Sequence, residues 1–178
     1  MMKKKIIKKE KIEREKKVME EKVYEAFKQL NIEYEKVEHP PLITCEDIEK
    51  YKVKIDGVDF KNLFIRNKNK SRYYLVCLPV EKRANLKELE AKLQETKLSF
   101  GSEETLYEKL RITSGSVSLL NIIEVEKTDV KFVIDKSILQ AKKIGFHPNV
   151  NTATVLFEPE GINKIMQFYN AEYEFIEL

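Results

Sequence analysis

One mixed α/β domain is the fold this sequence predicts, and three observations predict it. Stretches with apolar residues at helical spacing alternate along the chain with short apolar runs that read as strands. Two of those runs, 60–66 and 72–78, flank the polar segment Asn67-Lys68-Asn69-Lys70-Ser71 and should pair as an antiparallel hairpin. The chain has 178 residues, 42% of them apolar, which suits one compact domain with a real core. Interleaved helices and strands, some antiparallel, imply one mixed, largely antiparallel sheet flanked by helices.

The elements follow in order. Met19, Val23, Ala26, Phe27 and Leu30 form one apolar helical stripe, and Asn31 is a plausible stop. Residues 32–38 read as extended, ended by Pro40-Pro41, which lack backbone donors. Thr44 with Asp47 has the form of a helix N-terminus, so a short helix is expected over 45–51. After the hairpin, Asn85 can cap a helix whose Leu86, Leu89 and Leu93 share a face. Leu98-Ser99-Phe100 looks like a short strand, and Ser102 caps the helix carrying Leu106 and Leu110. Residues 129–135 and 152–157 read as strands, 145–151 as a polar loop. A helix near 160–169 and a strand over 172–177 close the domain.

Charge is unevenly placed. Residues 1–18 hold nine Lys/Arg against three Asp/Glu, and the remainder holds 24 against 27. A basic N-terminal arm (1–18) is therefore expected on a slightly acidic body (19–178). Such an arm attracts phosphate backbones without reading sequence; the plainer reading is a solvated extension of the first helix. No run approaches the roughly 18 apolar residues of a membrane span, and the lysine-rich N-terminus lacks the apolar core of a signal peptide. A cytoplasmic location without membrane attachment is the expectation. Cys45 and Cys77 then read as reduced thiols, Cys77 within a buried strand. With only His39 and His147 and no Cys/His cluster, neither a metal nor another cofactor is expected.

No nucleophile elbow, zinc-binding helix motif or phosphate-binding glycine loop is present. Three polar segments remain. Lys61 and Asn62 open an otherwise apolar strand, where a lysine ordinarily snorkels to the surface. Gly115-Ser116-Val117-Ser118 is a flexible turn by composition, yet its glycine could let backbone N–H groups approach a carbonyl as an oxyanion hole. His147 stands among Asn149, Asn151 and Thr152 just before a strand, a concentration of hydrogen-bonding groups.

Six segments, in order, carry a resemblance: Glu38-His39-Pro40-Pro41, Lys61-Asn62-Leu63-Phe64, Arg72-Tyr73-Tyr74-Leu75-Val76, Leu98-Ser99-Phe100, Gly115-Ser116-Val117-Ser118, and Gly145-Phe146-His147-Pro148-Asn149 with Asn151-Thr152-Ala153-Thr154. From about Val23 to the C-terminus the chain resembles the prolyl-tRNA editing family, the YbaK/ProX-type deacylases. The resemblance implies a curved editing-domain sheet and a trans-editing hydrolase that removes alanine from mischarged proline tRNA. It implies catalytic roles for Lys61, which would hold the tRNA 3′-terminal nucleotide, for Gly115 in the carbonyl-binding loop, and for His147 in the amino-acid pocket. Asn62, Ser116, Val117, Ser118, Asn149, Asn151 and Thr152 would line the substrate site. Leu42 and Phe64, with His147, are candidate pocket walls. The implied partners are the acceptor end of tRNA(Pro) and, beside it, prolyl-tRNA synthetase. Many members read G-x-x-x-P at the loop, whereas residue 119 here is Leu, so the rigidity of a proline is missing. Two alternatives stay open: a non-catalytic tRNA-binding or regulatory homologue, and a deacylase for seryl, threonyl or cysteinyl esters.

The residue set suits the reaction. An aminoacyl ester on ribose is already activated and demands no protein nucleophile. A positioned water and a stabilised oxyanion can supply much of the acceleration.

Overall fold

The computed structural model describes residues 2–42, 47, 50, 51, 56–125 and 128–178, residues 2–12 through their backbone. The first helix, α1 (Met2–Gln29), takes in the basic segment and the predicted stripe in one run. Val23, Ala26 and Phe27 on that stripe are buried. The helix ends in a Schellman motif: Asn31 adopts φ 49°, and the N–H groups of Asn31 and Ile32 donate to the carbonyls of Lys28 (3.3 Å) and Phe27 (2.9 Å). Asparagine tolerates that left-handed conformation, which closes the orphan carbonyls.

Eight strands form one sheet: β1 (Tyr34–Glu38), β2 (Val58–Arg66), β3 (Tyr73–Pro79), β4 (Ser99–Phe100), β5 (Val130–Asp135), β6 (Ile144–Phe146), β7 (Ala153–Phe157) and β8 (Tyr173–Ile176). Their order is β1-β7-β6-β2-β3-β5-β8, with β4 added on β2. The expected hairpin is present, Phe60 opposite Pro79 through Arg66 opposite Tyr73. β1–β7, β6–β7, β2–β3 and β2–β4 are antiparallel, while β2–β6, β3–β5 and β5–β8 are parallel.

Helices α2 (Leu86–Leu93) and α3 (Glu103–Leu110) start where expected. The Asn85 side chain accepts from the N–H groups of Lys87 and Glu88, and that of Ser102 from Thr105. Each satisfies orphan donors of a first turn. α4 (Glu160–Phe168) buries Ile162, Ile165 and Met166. Of the helix expected over 45–51 only Asp47, Lys50 and Tyr51 are among the described residues, and the expected cap Thr44 lies outside them; Tyr51 N–H donates to Asp47 O at 2.9 Å, a helical bond.

Three features depart from the sequence reading, one of them a 3-10 helix over Lys136–Gln140. Residues 144–146 form strand β6, although 145–151 reads as a polar loop. Residues 119–124, unassigned from sequence, form a 3-10 helix capped by Ser118.

The main core lies on one sheet face under α1, α3, α4 and that 3-10 helix, and a smaller cluster lies on the other face under α2. A ladder of aromatic rings crosses the main core. Phe27 meets Phe157 edge-on at 5.0 Å, Phe157 meets Phe146 at 6.1 Å, and Phe146 stacks on Phe60 at 5.8 Å. It joins α1, β7, β6 and β2, with geometries that add to burial.

Candidate active site

β2 and β6 run parallel for a short distance and then part. They pair only through Val58 with Ile144 and Asp59 with Gly145. At the next level Phe60 and Phe146 still stack, with ring centroids 5.8 Å apart. One residue further stand Lys61 on β2 and His147 after β6. On its far side β2 next meets β4 at Ile65 and Arg66, and Gly101 N–H reaches Phe64 O at 2.9 Å. Between Asp59 and Phe64, therefore, the β2 edge turned away from β3 has no strand partner among the described residues. A crevice where parallel strands separate is a usual place for a ligand in such sheets.

Side-chain alternation sorts the β2 residues between the faces. Phe60 and Phe64 face the main core, as does Asn62, whose Oδ1 accepts from the Cys77 thiol at 2.9 Å. Lys61 projects to the opposite face with Leu63 and Ile65, and its Nζ donates to Val80 O at 2.9 Å. Strand β2 thus separates Lys61 from Asn62, although the two adjoin in sequence and were expected to share a site.

His147 has a second histidine for company. The rings of His39 and His147 are 5.8 Å apart. His39 is buried, with Nε2 2.9 Å from Thr154 Oγ1 and Nδ1 2.9 Å from Pro40 O. The 39–42 segment is tied alongside by two backbone bonds, His39 N–H to Thr152 O (3.0 Å) and Leu42 N–H to Asn151 O (2.8 Å). Leu42, His147, Asn151 and Thr152 therefore gather around one small region. Phe64 does not join them: it stacks on Tyr73 at 5.8 Å, beneath Gly101.

Titration differs along the crevice. Burial, aided by His39, lowers the His147 pKa to about 4, so its imidazole is neutral at pH 7. Asp59 is pushed the other way, to about 6, chiefly by burial. Cys77 is raised well above the usual thiol range by burial, which makes it an inert core thiol.

The glycine segment belongs to the other layer, where Leu119, Leu120 and Ile122 enter the main core. Thr113–Ser116 is a β-turn closed by Ser116 N–H to Thr113 O at 3.2 Å. Gly115 occupies its third position with φ 88°, a conformation L-residues resist. Ser118 N–H donates to Asn121 Oδ1 at 2.7 Å. Of the four N–H groups from Gly115 to Ser118, those of Ser116 and Ser118 are consequently occupied. Those of Gly115 and Val117 have no partner among the described residues. Only these two can serve as oxyanion donors without rearrangement.

Asn121 lies in none of the sequence motifs, and His39 lies in one of them, Glu38-His39-Pro40-Pro41, with no role assigned to it; both are functional candidates. Asn121 is a single polar residue in Leu119-Leu120-Asn121-Ile122-Ile123, and it is fully buried. A buried amide inside an apolar run has to find partners, and that is the signal by which it can be found. Among the described residues no cluster of three metal-ligating side chains occurs.

A sequence model of the aminoacyl-tRNA editing domain matches residues 39–165, spanning the crevice, the glycine turn and the histidine loop. The chain belongs to the aminoacyl-tRNA editing domain family. The prolyl-tRNA editing protein ProX of Acetoanaerobium sticklandii is 36% identical over 158 residues, 88% of this chain and 95% of that protein. Prolyl-tRNA synthetase associated domain-containing protein 1 of Mus musculus is 35% identical over 135 residues, 74% of this chain and 79% of its own. Among solved structures, hypothetical protein APE2540 superposes with a TM-score of 0.65 at 19% identity, covering 85% of this chain and 96% of its own. A candidate trans-editing enzyme for prolyl tRNA synthetase superposes at 0.63 and 15% identity, covering 90% and 97%. At those identities the two structures bear on the fold, which they share with this editing domain. α1 and β1 precede the matched residues, so the basic segment lies outside the family's common part.

Proposed function

We propose that this chain is a trans-editing deacylase that hydrolyses alanine from mischarged tRNA(Pro). The observation that carries the reading is the point where β2 and β6 part. A cation (Lys61) and a neutral imidazole (His147) stand one residue beyond it, and the glycine turn, joined to the histidine loop through Asn121 and Asn149, has two N–H groups without a partner among the described residues. The 36% identity to a prolyl-tRNA editing protein supports the choice of tRNA.

In this reading Lys61 offsets the charge of the terminal phosphodiester. Water attacks the ester carbonyl. The new oxyanion is held by the Gly115 and Val117 N–H groups, and the ribose hydroxyl leaves as the C–O bond breaks and takes up a proton. Donors fixed before the reaction act on charge that develops in the transition state, where they count most. The neutral His147 can hold the attacking water or the substrate amine through a ring nitrogen. Leu42 and His147 form the pocket wall. Proline is excluded because its ring overlaps that wall; a one-methylene difference alone would give only about 10–200-fold discrimination. The working partners are the acceptor end of tRNA(Pro) and prolyl-tRNA synthetase, in the cytoplasm.

The test is deacylation of alanyl-tRNA(Pro) by Lys61→Ala and His147→Ala under single-turnover conditions. Lys61→Ala is expected to weaken substrate binding, and His147→Ala to lower the rate at saturation, each by about tenfold or more. If both variants match the parent, the active site lies elsewhere.

A further inference from the structure

The departure from G-x-x-x-P leaves the glycine turn without a proline, yet the segment is not loose, because one side chain holds it. Asn121 Oδ1 accepts from Ser118 N–H at 2.7 Å, and its Nδ2 donates to Ser116 O at 3.3 Å and to Asn149 Oδ1 at 2.8 Å. Asn149 belongs to the histidine loop, in which its own N–H donates to His147 O at 2.8 Å. It adopts φ 61°, is nearly fully buried, and passes the chain on by donating Nδ2 to Glu124 Oε1 at 3.2 Å. Lys22 of α1 meets the other Glu124 oxygen at 2.9 Å. Every hydrogen-bonding atom of the Asn121 amide is thus spent on joining the two loops that carry Gly115 and His147.

We propose that Asn121 is a positioning residue of this active site: it fixes the glycine turn against the histidine loop and keeps the Gly115 and Val117 N–H groups free to face the ester. The inference rests on the deacylase reading and adds to it a residue that touches no substrate. The direction of the hydrogen bonds makes it testable. Asn121→Asp retains the acceptor for Ser118 N–H but presents oxygen to Ser116 O and Asn149 Oδ1. If the Asn149 amide turns over, its Nδ2 can serve the new carboxylate. Its Oδ1 then faces Glu124, and that clash is relieved by Glu124→Gln, which supplies an N–H donor.

The experiment compares the parent, N121D and N121D/E124Q on whichever aminoacyl ester the parent cleaves, with melting curves for each. N121D is expected to lose about 10²-fold in kcat, the scale of a missing oxyanion donor, while KM moves less than about threefold. The double variant restores the bond to Asn149 but not the one to Ser116 O, so it should regain about tenfold of the loss. A residue that matters only for folding would show its loss in the melting curve and leave kcat of the folded fraction intact. Undiminished kcat in N121D, or a folded double variant no more active than N121D, overturns the proposal; if N121D alone does not fold, the double variant decides.

Should the parent cleave no aminoacyl ester, the deacylase reading falls by itself. The clamp is then judged on backbone amide chemical shifts. Residues 112–118 and 147–151 moving together in N121D, and returning in the double variant, supports it. Independent movement overturns it.

Discussion

Asp59 and His147 lie two levels apart along the fork between β2 and β6 and shift in opposite senses, which gives the molecule a defined pH response. Asp59, raised to about 6, is charged above that pH despite its burial. Its contribution therefore lowers stability as pH climbs from about 4 to 6, because the folded form binds the extra proton in that window. His147, lowered to about 4, binds its proton only below that value when folded. The unfolded chain binds it below about 6.5, so this contribution raises stability over nearly the same window. The two slopes oppose each other in the parent. Asp59→Asn keeps the acceptor for Phe60 N–H (3.0 Å) and removes one slope. The variant should melt at the parent's temperature near pH 4 and higher at pH 7, with a steeper rise in between. Calorimetry from pH 4 to 7 checks it, and a parallel pair of curves would contradict the assignment of Asp59.

At the scale of elements, most of the fold was legible because local chemistry and long-range packing agree. The Asn85 and Ser102 caps, the stripe ending at Leu30 and the alternation in the hairpin each appear in both sequence and structure. Strand β6 was not legible. Ile144-Gly145-Phe146 is too short for a period to show, and it exists because β7 pairs along it and β2 pairs at its start. The 3-10 helix after Ser118 was hidden for a similar reason, its cap being visible only once Asn121 was placed. The helix α1 raises a different question. Its first half carries Lys3, Lys4, Lys5, Lys8, Lys9 and Lys11, and Lys22 in its second half reaches Glu124, which also holds Asn149 of the histidine loop. A run of lysines on one helix attracts a phosphate backbone without reading sequence. Replacing those six lysines by glutamine keeps the helix and removes the charge. Affinity for tRNA(Pro) should fall, and the slope of log K against log salt should become shallower by about 0.7–0.9 for each phosphate left without its lysine. An unchanged slope would make the segment a solvated extension only.

Over the whole molecule, the aromatic ladder connects stability to the site. Phe146 precedes His147, and Phe60 precedes Lys61, so the stack that closes the fork also sets where both candidate side chains begin. Phe146→Ala should cost about 3–5 kcal/mol by denaturant unfolding and should lower activity in the fraction that remains folded. Loss of stability with full activity would show that the crevice does not depend on the ladder. The candidate site was legible in part for a physical reason: Gly115 and His147 announce themselves through backbone freedom and chemistry, while Asn121 and His39 work through partners remote in sequence. The separation of Lys61 from Asn62 across β2 follows from alternation, but its meaning emerged only with the fork in place.

The central claim is selective editing, and the direct measurement is hydrolysis of alanyl-tRNA(Pro) and prolyl-tRNA(Pro) by the parent protein in the same buffer. Rapid release of alanine with the prolyl ester decaying at its buffer rate is the predicted result. Equal rates for the two esters, or an alanyl ester no less stable than in buffer alone, would contradict it.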